Sequence, residues 1–362
     1  MMKTIVVKSP NFTQRIIIGR NLNETIGVFF KKDKYNKKIL IYEDEPMIRD
    51  TETYKIFNNT NYIRIKIPAS LIKKDLDSVE KILHKVFHFS VNRKSCFIIL
   101  GGGTLGDLGG FISSVYMRGI DMVYIPTTFM SQCDTIIGKV AINFFDQKNL
   151  LGSFFSPKYT FCDFDFLDTL NDYQIASGLV EVWKHSIVKS DYALWDKINA
   201  ILKNGDLRKA CGLIYPSLTI KKHYVTRDFL DLNNIHKALS LGHTTSNYLE
   251  KNNKIKHGEG VCNGILFAAF LSSRIKEIKN DKLSKIMGTF KLFSDIMITN
   301  REVEKMLKIK PFLKSLESDK INLNDSFSFV IPTTSGYKVE KDVSRDLIKG
   351  SLNDLKEFIN GN

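Results

Sequence analysis

Ser95–Phe111 reads SCFIILGGGTLGDLGGF, and its two halves decide the class of fold. Cys96–Leu100 is a short apolar run, the pattern of a strand covered on both faces. It passes without a polar break into Gly101, Gly102 and Gly103. Glycine at the end of such a strand lets backbone approach a pyrophosphate, and the N–H groups that open the next helix favour an anion. The spacing is not G-x-G-x-x-G, so the triplet taken alone is equally a tight strand-to-helix turn.

On the N-terminal side, TIVVKSPNFTQRIIIGRNL predicts two strands joined by a Pro-Asn turn, and KKILIYED and YIRIKIP predict two more. In LDSVEKILHKVFHFSV, residues Val79, Ile82, Leu83, Val86 and Phe87 recur at helical spacing on one face. MVYIPTTFM predicts a further strand ending in Pro-Thr-Thr. Short strands alternating with helices indicate an α/β domain with a largely parallel sheet. From about Asp172 the texture changes to long amphipathic stretches: YQIASGLVEVWKHSIV, ALWDKINAILK, the run around His243, and GILFAAFLSSRIKEI. One late strand is expected in FSFVIPT. The expected organisation is an α/β domain over 1–170 and a mainly α-helical domain over 171–362.

A chain of 362 residues is longer than one core usually organises, in keeping with two domains. With 43% hydrophobic and 25% charged residues it has ordinary globular composition. No apolar stretch approaches the roughly 18 residues needed to span a bilayer, and no secretion signal is evident. Five cysteines without paired spacing suit a reducing cytoplasm. The net charge of +14 raises nucleic acid as a partner. The lysines are spread along the chain, however, with no aromatic-interleaved basic block, so an anionic small molecule is expected and nucleic acid is not.

Three residues stand out for chemistry: Glu181 in SGLVEVWKHSIV, His243 in LSLGHTTSNYLE and His257 in KHGEG. One carboxylate and two imidazoles suit a catalytic divalent metal that keeps positions open for substrate. Lys184, three residues after Glu181, shares its helical face, a spacing that most often means a surface ion pair. His185 at four residues offers a local Glu/His pair. The segment CDTIIGKVAINFFDQKNLLGSF sets Asp134, Lys139, Asn143, Lys148 and Asn149 among apolar neighbours. Lysines there are costly unless they meet an anion, and phosphate is the natural one.

Taken in order, GGGTLGDLGGF, YMRG, PTT, Asp134, Lys139, KNLLGSF, SGLVEVWK, LGHT and HGE resemble the 3-dehydroquinate synthase family of sugar-phosphate cyclases. The resemblance runs from the first strands to an Asp-Lys near residue 320. It implies a Rossmann-like NAD-binding α/β domain followed by a helical metal-binding domain, in a cytoplasmic homodimer. The metal would be zinc or cobalt, held by Glu181, His243 and His257. Gly102, Gly103, Thr104, Asp107, Thr127, Thr128, Asp134, Thr169 and Gln174 would line the NAD site, with Lys139 and Lys148. Lys139, Lys148, Asn149, Lys184, Lys222 and Lys320 would face a sugar phosphate, and Arg118 of YMRG would reach its phosphate from the neighbouring subunit. The implied reaction oxidises one hydroxyl transiently, eliminates phosphate, returns the hydride and closes a carbocycle by an intramolecular aldol step.

The departures from that family concern the substrate. The arginine seven residues ahead of the LGHT histidine, which grips a carboxylate in dehydroquinate synthases, is His236 here. The family's asparagine three residues ahead is Ser240, and its second histidine four residues on is Asn247. The loop from Asp134 to Lys139 is one residue short, and a glutamate near the adenosine ribose is replaced by Leu71. Neutral histidine cannot reproduce a permanently charged bidentate fork. The expected substrate is therefore uncarboxylated, such as sedoheptulose 7-phosphate or glucose 6-phosphate. A true 3-dehydroquinate synthase of the shikimate pathway is the nearest alternative. A metal-dependent polyol dehydrogenase, or a basic scaffold protein without activity, is more remote.

Overall fold

A computed structural model describes the chain apart from residues 1, 10–11, 146, 252–254, 298–307, 318–326 and 362. It divides into two units, Met1–Asn171 and Asp172–Asn362. In the first, the strands are β1 (Lys3–Ser9), β2 (Phe12–Gly19), β3 (Lys38–Glu43), β4 (Ile63–Ile67), β5 (Cys96–Gly101), β6 (Asp121–Pro126), β7 (Val140–Phe144), β8 (Gln147–Ser153) and β9 (Tyr159–Asp163). Seven of them form one sheet in the order β1-β2-β9-β6-β5-β3-β4. Every pairing is parallel except β1 with β2.

The central strand β5 is apolar throughout because both faces are covered. Phe97 and Ile99 pack with Val79, Ile82 and Val86 of the helix Leu76–Phe87 and with Leu105, Leu108 and Ile112 of the helix Gly103–Val115. Cys96, Ile98 and Leu100 face Ile26 and Phe30 of the helix Asn23–Lys32. Gly109 permits the first arrangement, since a Cβ there would lie 2.5 Å from Ile99 Cδ1. The later glycines of the GGGTLGDLGG run thus serve packing. Phe87, expected on the buried face, is 77% exposed: it is the last residue of its helix, where the apolar pattern outlasts the core. The segment MVYIPTTFM changes state midway, because Thr128 caps a short helix, Phe129–Cys133, through the Ser131 N–H. The Pro-Asn turn between β1 and β2 lies outside the described residues.

The second unit is mainly helical. Two helices form its interior: Asp172–Lys189 is buried continuously over 175–188, and His257–Arg274 over 258–272. A helix buried on every side is a core element, which corrects the amphipathic reading of these two stretches. Around them lie Tyr192–Asn204, Ile214–Arg227, His243–Glu250, Asn280–Met297, Ile309–Glu317 and Arg345–Asn360. The late strand FSFVIPT is present as β10 (Phe327–Thr333), paired antiparallel with β11 (Gly336–Val343). Among the described residues no helix is long and apolar enough to cross a membrane.

Candidate active site

In the first unit, Gly102 precedes the helix Gly103–Val115 as its N-cap. Gly103 and Thr104 open that helix and are exposed, and nothing lies within 4 Å of a Cβ placed on Gly103. Thr127 closes the turn from the β6 side, its N–H donating to the Gly101 carbonyl at 3.1 Å. Asp107, one turn into the helix, is ion-paired with Lys74. The result is a helix start exposed at Gly103 and Thr104, suited to a phosphate.

Sheet order adds a residue that the sequence did not flag. β3 and β5 are hydrogen-bonded neighbours, so Glu43, the last residue of β3, stands beside the glycine turn. Its carboxylate accepts the Gly102 N–H, and a Cβ on Gly101 would fall 2.7 Å from its carboxyl carbon. Burial pushes the Glu43 carboxyl up to about 7, against the Gly102 N–H, and Glu45 adds to the rise. Glu43 lies far upstream of the glycines, so only strand adjacency could have revealed it.

The lysine-rich segment, expected to meet phosphate, is the hairpin β7–β8. Lys139 stands at its entrance, partly buried, with its ammonium 5.8 Å from the Phe154 ring centroid. Lys148 and Asn149 are exposed on β8, and Asn149 adopts φ +55 while its N–H donates to Asn143 Oδ1 at 3.1 Å. Asp134 ends the short helix after Thr128. The Thr169 hydroxyl donates to the Phe166 carbonyl at 2.7 Å. Arg118 is exposed at a turn in which Met117, Arg118 and Gly119 all have positive φ.

In the second unit the backbone brings Glu181, His243 and His257 together. Gly258 lets the two interior helices touch, since a Cβ there would lie 2.2 Å from Ser177 Oγ. Gly264 admits the turn before His243: its Cβ would fall 2.0 Å from the Gly242 carbonyl oxygen. Gly242 has φ +82, a left-handed conformation that favours glycine. Glu181 Oε1 then stands 3.4 Å from His257 Nε2 and 3.9 Å from His243 Nε2. The three donor atoms lie within 4.8 Å of one another. Atoms bonded to a tetrahedral zinc at about 2.1 Å stand about 3.4 Å apart, so the donor set fits such an ion. Oε1 is also buried without a hydrogen bond of normal geometry.

The Glu181–Lys184 pair, expected at the surface, is almost wholly buried, with side-chain exposures of 1% and 2%. Lys184 bonds Glu181 Oε2, leaving Oε1 for the imidazoles. Burial alone would push the Glu181 carboxyl up, but Lys184, His257 and His243 hold it well below the usual range. Burial, then the Lys184 ammonium, pushes His243 down to about 4. Burial also works to lower His257, but its bonds to Glu181 and Glu250 carry it up to about 9. His185, the other histidine of this helix, is buried and bonds Ser217 Oγ at 2.8 Å through Nδ1.

Glu250 was not anticipated. Its Oε1 lies 3.1 Å from His257 Nδ1 and accepts the Ser246 hydroxyl at 2.6 Å, which turns His257 Nε2 toward Glu181. Glu250 sits two turns after His243 on the same helix, a spacing that could have pointed to it. A carboxylate behind a metal-binding histidine orients the ring and raises its basicity. Glu250→Gln is expected to weaken zinc binding by about 10- to 100-fold, measured by chelator competition.

Among the remaining expected residues, Gln174 is exposed in the first turn of the helix Asp172–Lys189 and Lys222 is partly buried on Ile214–Arg227. His236 opens the turn His236–Ser240 that leads to His243, and Asn247 lies one turn past His243. Lys320 and the side chain of Leu71 lie outside what is described.

Residues 64–177 match the family model for the 3-dehydroquinate synthase N-terminal domain, and 178–321 match that for the C-terminal domain. A 3-dehydroquinate synthase of Alkaliphilus oremlandii is 30% identical over 363 residues, covering 95% of each chain. Among solved structures, ValA (2-epi-5-epi-valiolone synthase) from Streptomyces hygroscopicus, with NAD+ and Zn2+ bound, superposes with a TM-score of 0.83 at 19% identity, over 98% of this chain and 99% of its own. A 2-deoxy-scyllo-inosose synthase complexed with carbaglucose-6-phosphate, NAD+ and Co2+ gives a TM-score of 0.81 at 17% identity, over 97% and 100%. At those identities the two structures speak for the fold.

Proposed function

The chain belongs to the 3-dehydroquinate synthase family of phosphate-eliminating sugar-phosphate cyclases, and we propose that it holds NAD and one zinc or cobalt ion and cyclises an uncarboxylated sugar phosphate. Membership sets aside the polyol dehydrogenase and scaffold readings. When bound, the metal and the nicotinamide supply polarisation of a substrate oxygen and a recycled hydride.

The chain's own residues bind and orient. Gly102, Gly103, Thr104 and Thr127 offer the dinucleotide a helix start, flanked by Thr128, Asp107, Asp134 and Thr169. Glu181, His243 and His257 hold the metal, oriented by Glu250 and charge-balanced by Lys184. Lys139, Lys148 and Asn149 offer phosphate their donors from the hairpin. Arg118, exposed on a strained turn, serves the neighbouring subunit of a homodimer. Holding successive intermediates in register is the main task of such a site.

The observation that carries the substrate class is His236. It lies on the short segment that delivers the metal ligand His243, and an imidazole there lacks the fork that clasps a carboxylate. Ser240 on the same segment, and Asn247 one turn past His243, depart from the carboxylate-binding pattern too. A second reading, formation of 3-dehydroquinate itself, is favoured by the 30% identity to a 3-dehydroquinate synthase over nearly the whole chain. Purified protein with NAD and zinc or cobalt should release phosphate from sedoheptulose 7-phosphate or glucose 6-phosphate. Efficient turnover of 3-deoxy-arabino-heptulosonate 7-phosphate, with the neutral sugars ignored, would establish the second reading instead.

Glu43 makes a separate prediction. Its carboxylate and a dinucleotide phosphate would compete for the Gly102 N–H. A carboxyl raised to about 7 is charged above that pH and neutral below it, so competition fades as pH falls. NADH, titrated by its fluorescence, is expected to bind about five- to tenfold more tightly at pH 6 than at pH 8. Glu43→Gln should flatten that dependence.

A further inference from the structure

Between the helix Ile214–Arg227 and the turn His236–Ser240 the chain folds round a single carboxylate. Asp228, which ends that helix, is buried. Its Oδ1 accepts the backbone N–H of Leu232 at 2.8 Å and of Asn233 at 3.1 Å, and Asn233 Nδ2 approaches it at 3.4 Å. Its Oδ2 accepts the N–H of Ile235 at 3.0 Å and of His236 at 3.5 Å, with Asn233 N at 3.2 Å. Burial works to raise this carboxyl, but the N–H groups outweigh it and hold the group below the usual range.

The loop needs such a centre. It passes through left-handed conformations at Asp231 (φ +56) and Asn234 (φ +62), which non-glycine residues adopt only when held there. Its leucines do not hold it, for Leu230 is 49% and Leu232 76% exposed. The Tyr337 hydroxyl adds one bond, donating to the Ile235 carbonyl at 3.3 Å. The path of the loop, and hence the position at which His236 starts the segment leading to His243, is set by hydrogen bonds that converge on Asp228.

We propose that Asp228 is a positioning residue for substrate: by gathering the N–H groups of Leu232, Asn233, Ile235 and His236 it places His236 at the substrate end of the site. This rests on the reading that His236 faces substrate, so the two are tested side by side in the full-length enzyme loaded with NAD and zinc. The substrate is whichever of sedoheptulose 7-phosphate, glucose 6-phosphate and 3-deoxy-arabino-heptulosonate 7-phosphate releases phosphate fastest. Asp228→Asn keeps the shape but has a single acceptor oxygen and no charge. It is expected to raise KM about tenfold or more while kcat stays within about threefold and metal stoichiometry and NADH affinity are unchanged, the signature of lost ground-state and transition-state binding alike. His236→Ala should raise KM comparably, and the double variant should be scarcely worse than either single, because both act through one group.

A variant Asp228→Asn with lowered thermal stability and unaltered KM would reduce Asp228 to a structural role and overturn the proposal. Additive effects in the double variant would also overturn it. An unaltered KM in His236→Ala would instead remove the reading beneath it, and the proposal with it. Asp228→Glu, which restores charge and both oxygens, is expected to recover part of the KM loss and supplies the comparison should Asp228→Asn fold poorly.

Discussion

His257→Ala protein is expected to purify folded, to retain no stoichiometric zinc or cobalt, and to lose about a thousand-fold or more in kcat. Lewis-acid polarisation contributes several kcal/mol to such a reaction, and each 1.4 kcal/mol or so is a factor of ten in rate. The outcome at Glu181 should differ in kind. Glu181 and Lys184 form a buried pair, and removing one member of a buried pair costs about 3–5 kcal/mol. Glu181→Gln should therefore lose metal and stability together, whereas His257→Ala loses chiefly metal. Glu181→Gln combined with Lys184→Met should regain much of the stability and none of the metal. Elemental analysis and urea unfolding separate the two effects. If Glu181→Gln bound zinc at full stoichiometry, the proposed ligand set would be wrong.

Gly264→Ala is expected to destabilise the protein by about 3 kcal/mol or more, the upper end of what overpacking costs. The added methyl would stand 2.0 Å from the Gly242 carbonyl oxygen, where there is no flexible side chain to yield. Nor can the helix His257–Arg274 slide away freely. Gly258 is pressed against Ser177 on one neighbour and Gly260 against Ser246 on another. Any shift that accommodates the methyl moves His243 relative to His257, so zinc affinity should fall as well. Gly288→Ala is the control: nothing lies within 4 Å of its Cβ, and in a helix interior the change should stabilise by about 0.5–1 kcal/mol. Equal unfolding midpoints for the two variants would contradict this account of the packing.

How much of this was legible in the chain depended on whether a signal was local. The strands of the parallel sheet could be read because cover on both faces forces a continuous apolar run, as in Cys96–Leu100. The helical character of the second half was equally plain. β11 was not, since GYKVEKDV is a partly exposed strand of a two-stranded hairpin and carries charge where a core strand would carry Val or Ile. KVAINFFDQKNLLGS was read for its lysines and not for its two strands. The Glu181–Lys184 spacing looked like a surface pair because spacing carries no information about depth. Only the packing of Gly258 on Ser177, distant in sequence, shows that the helix is central. Glu43 was hidden for the same reason: which strand lies beside β5 is a matter of sheet order. Asp228 carries no local signal, and its five converging donors emerge only once the loop is folded.

The order of strands in the large sheet also bears on how the protein comes into being. β2 is flanked by β1 on one side and by β9 on the other, and Gln14 on β2 bonds Thr160 on β9, 146 residues later in the chain. At typical synthesis rates of about 5–20 residues per second, the first hairpin waits about 7 to 30 seconds on the ribosome before its parallel neighbour exists. Throughout that interval Ile16, Ile17 and Ile18 present an unpaired apolar edge, the kind of surface that invites association with other nascent chains. The strand that completes the sheet arrives just before the helical unit begins, so the first unit cannot close until nearly half of the chain has been made.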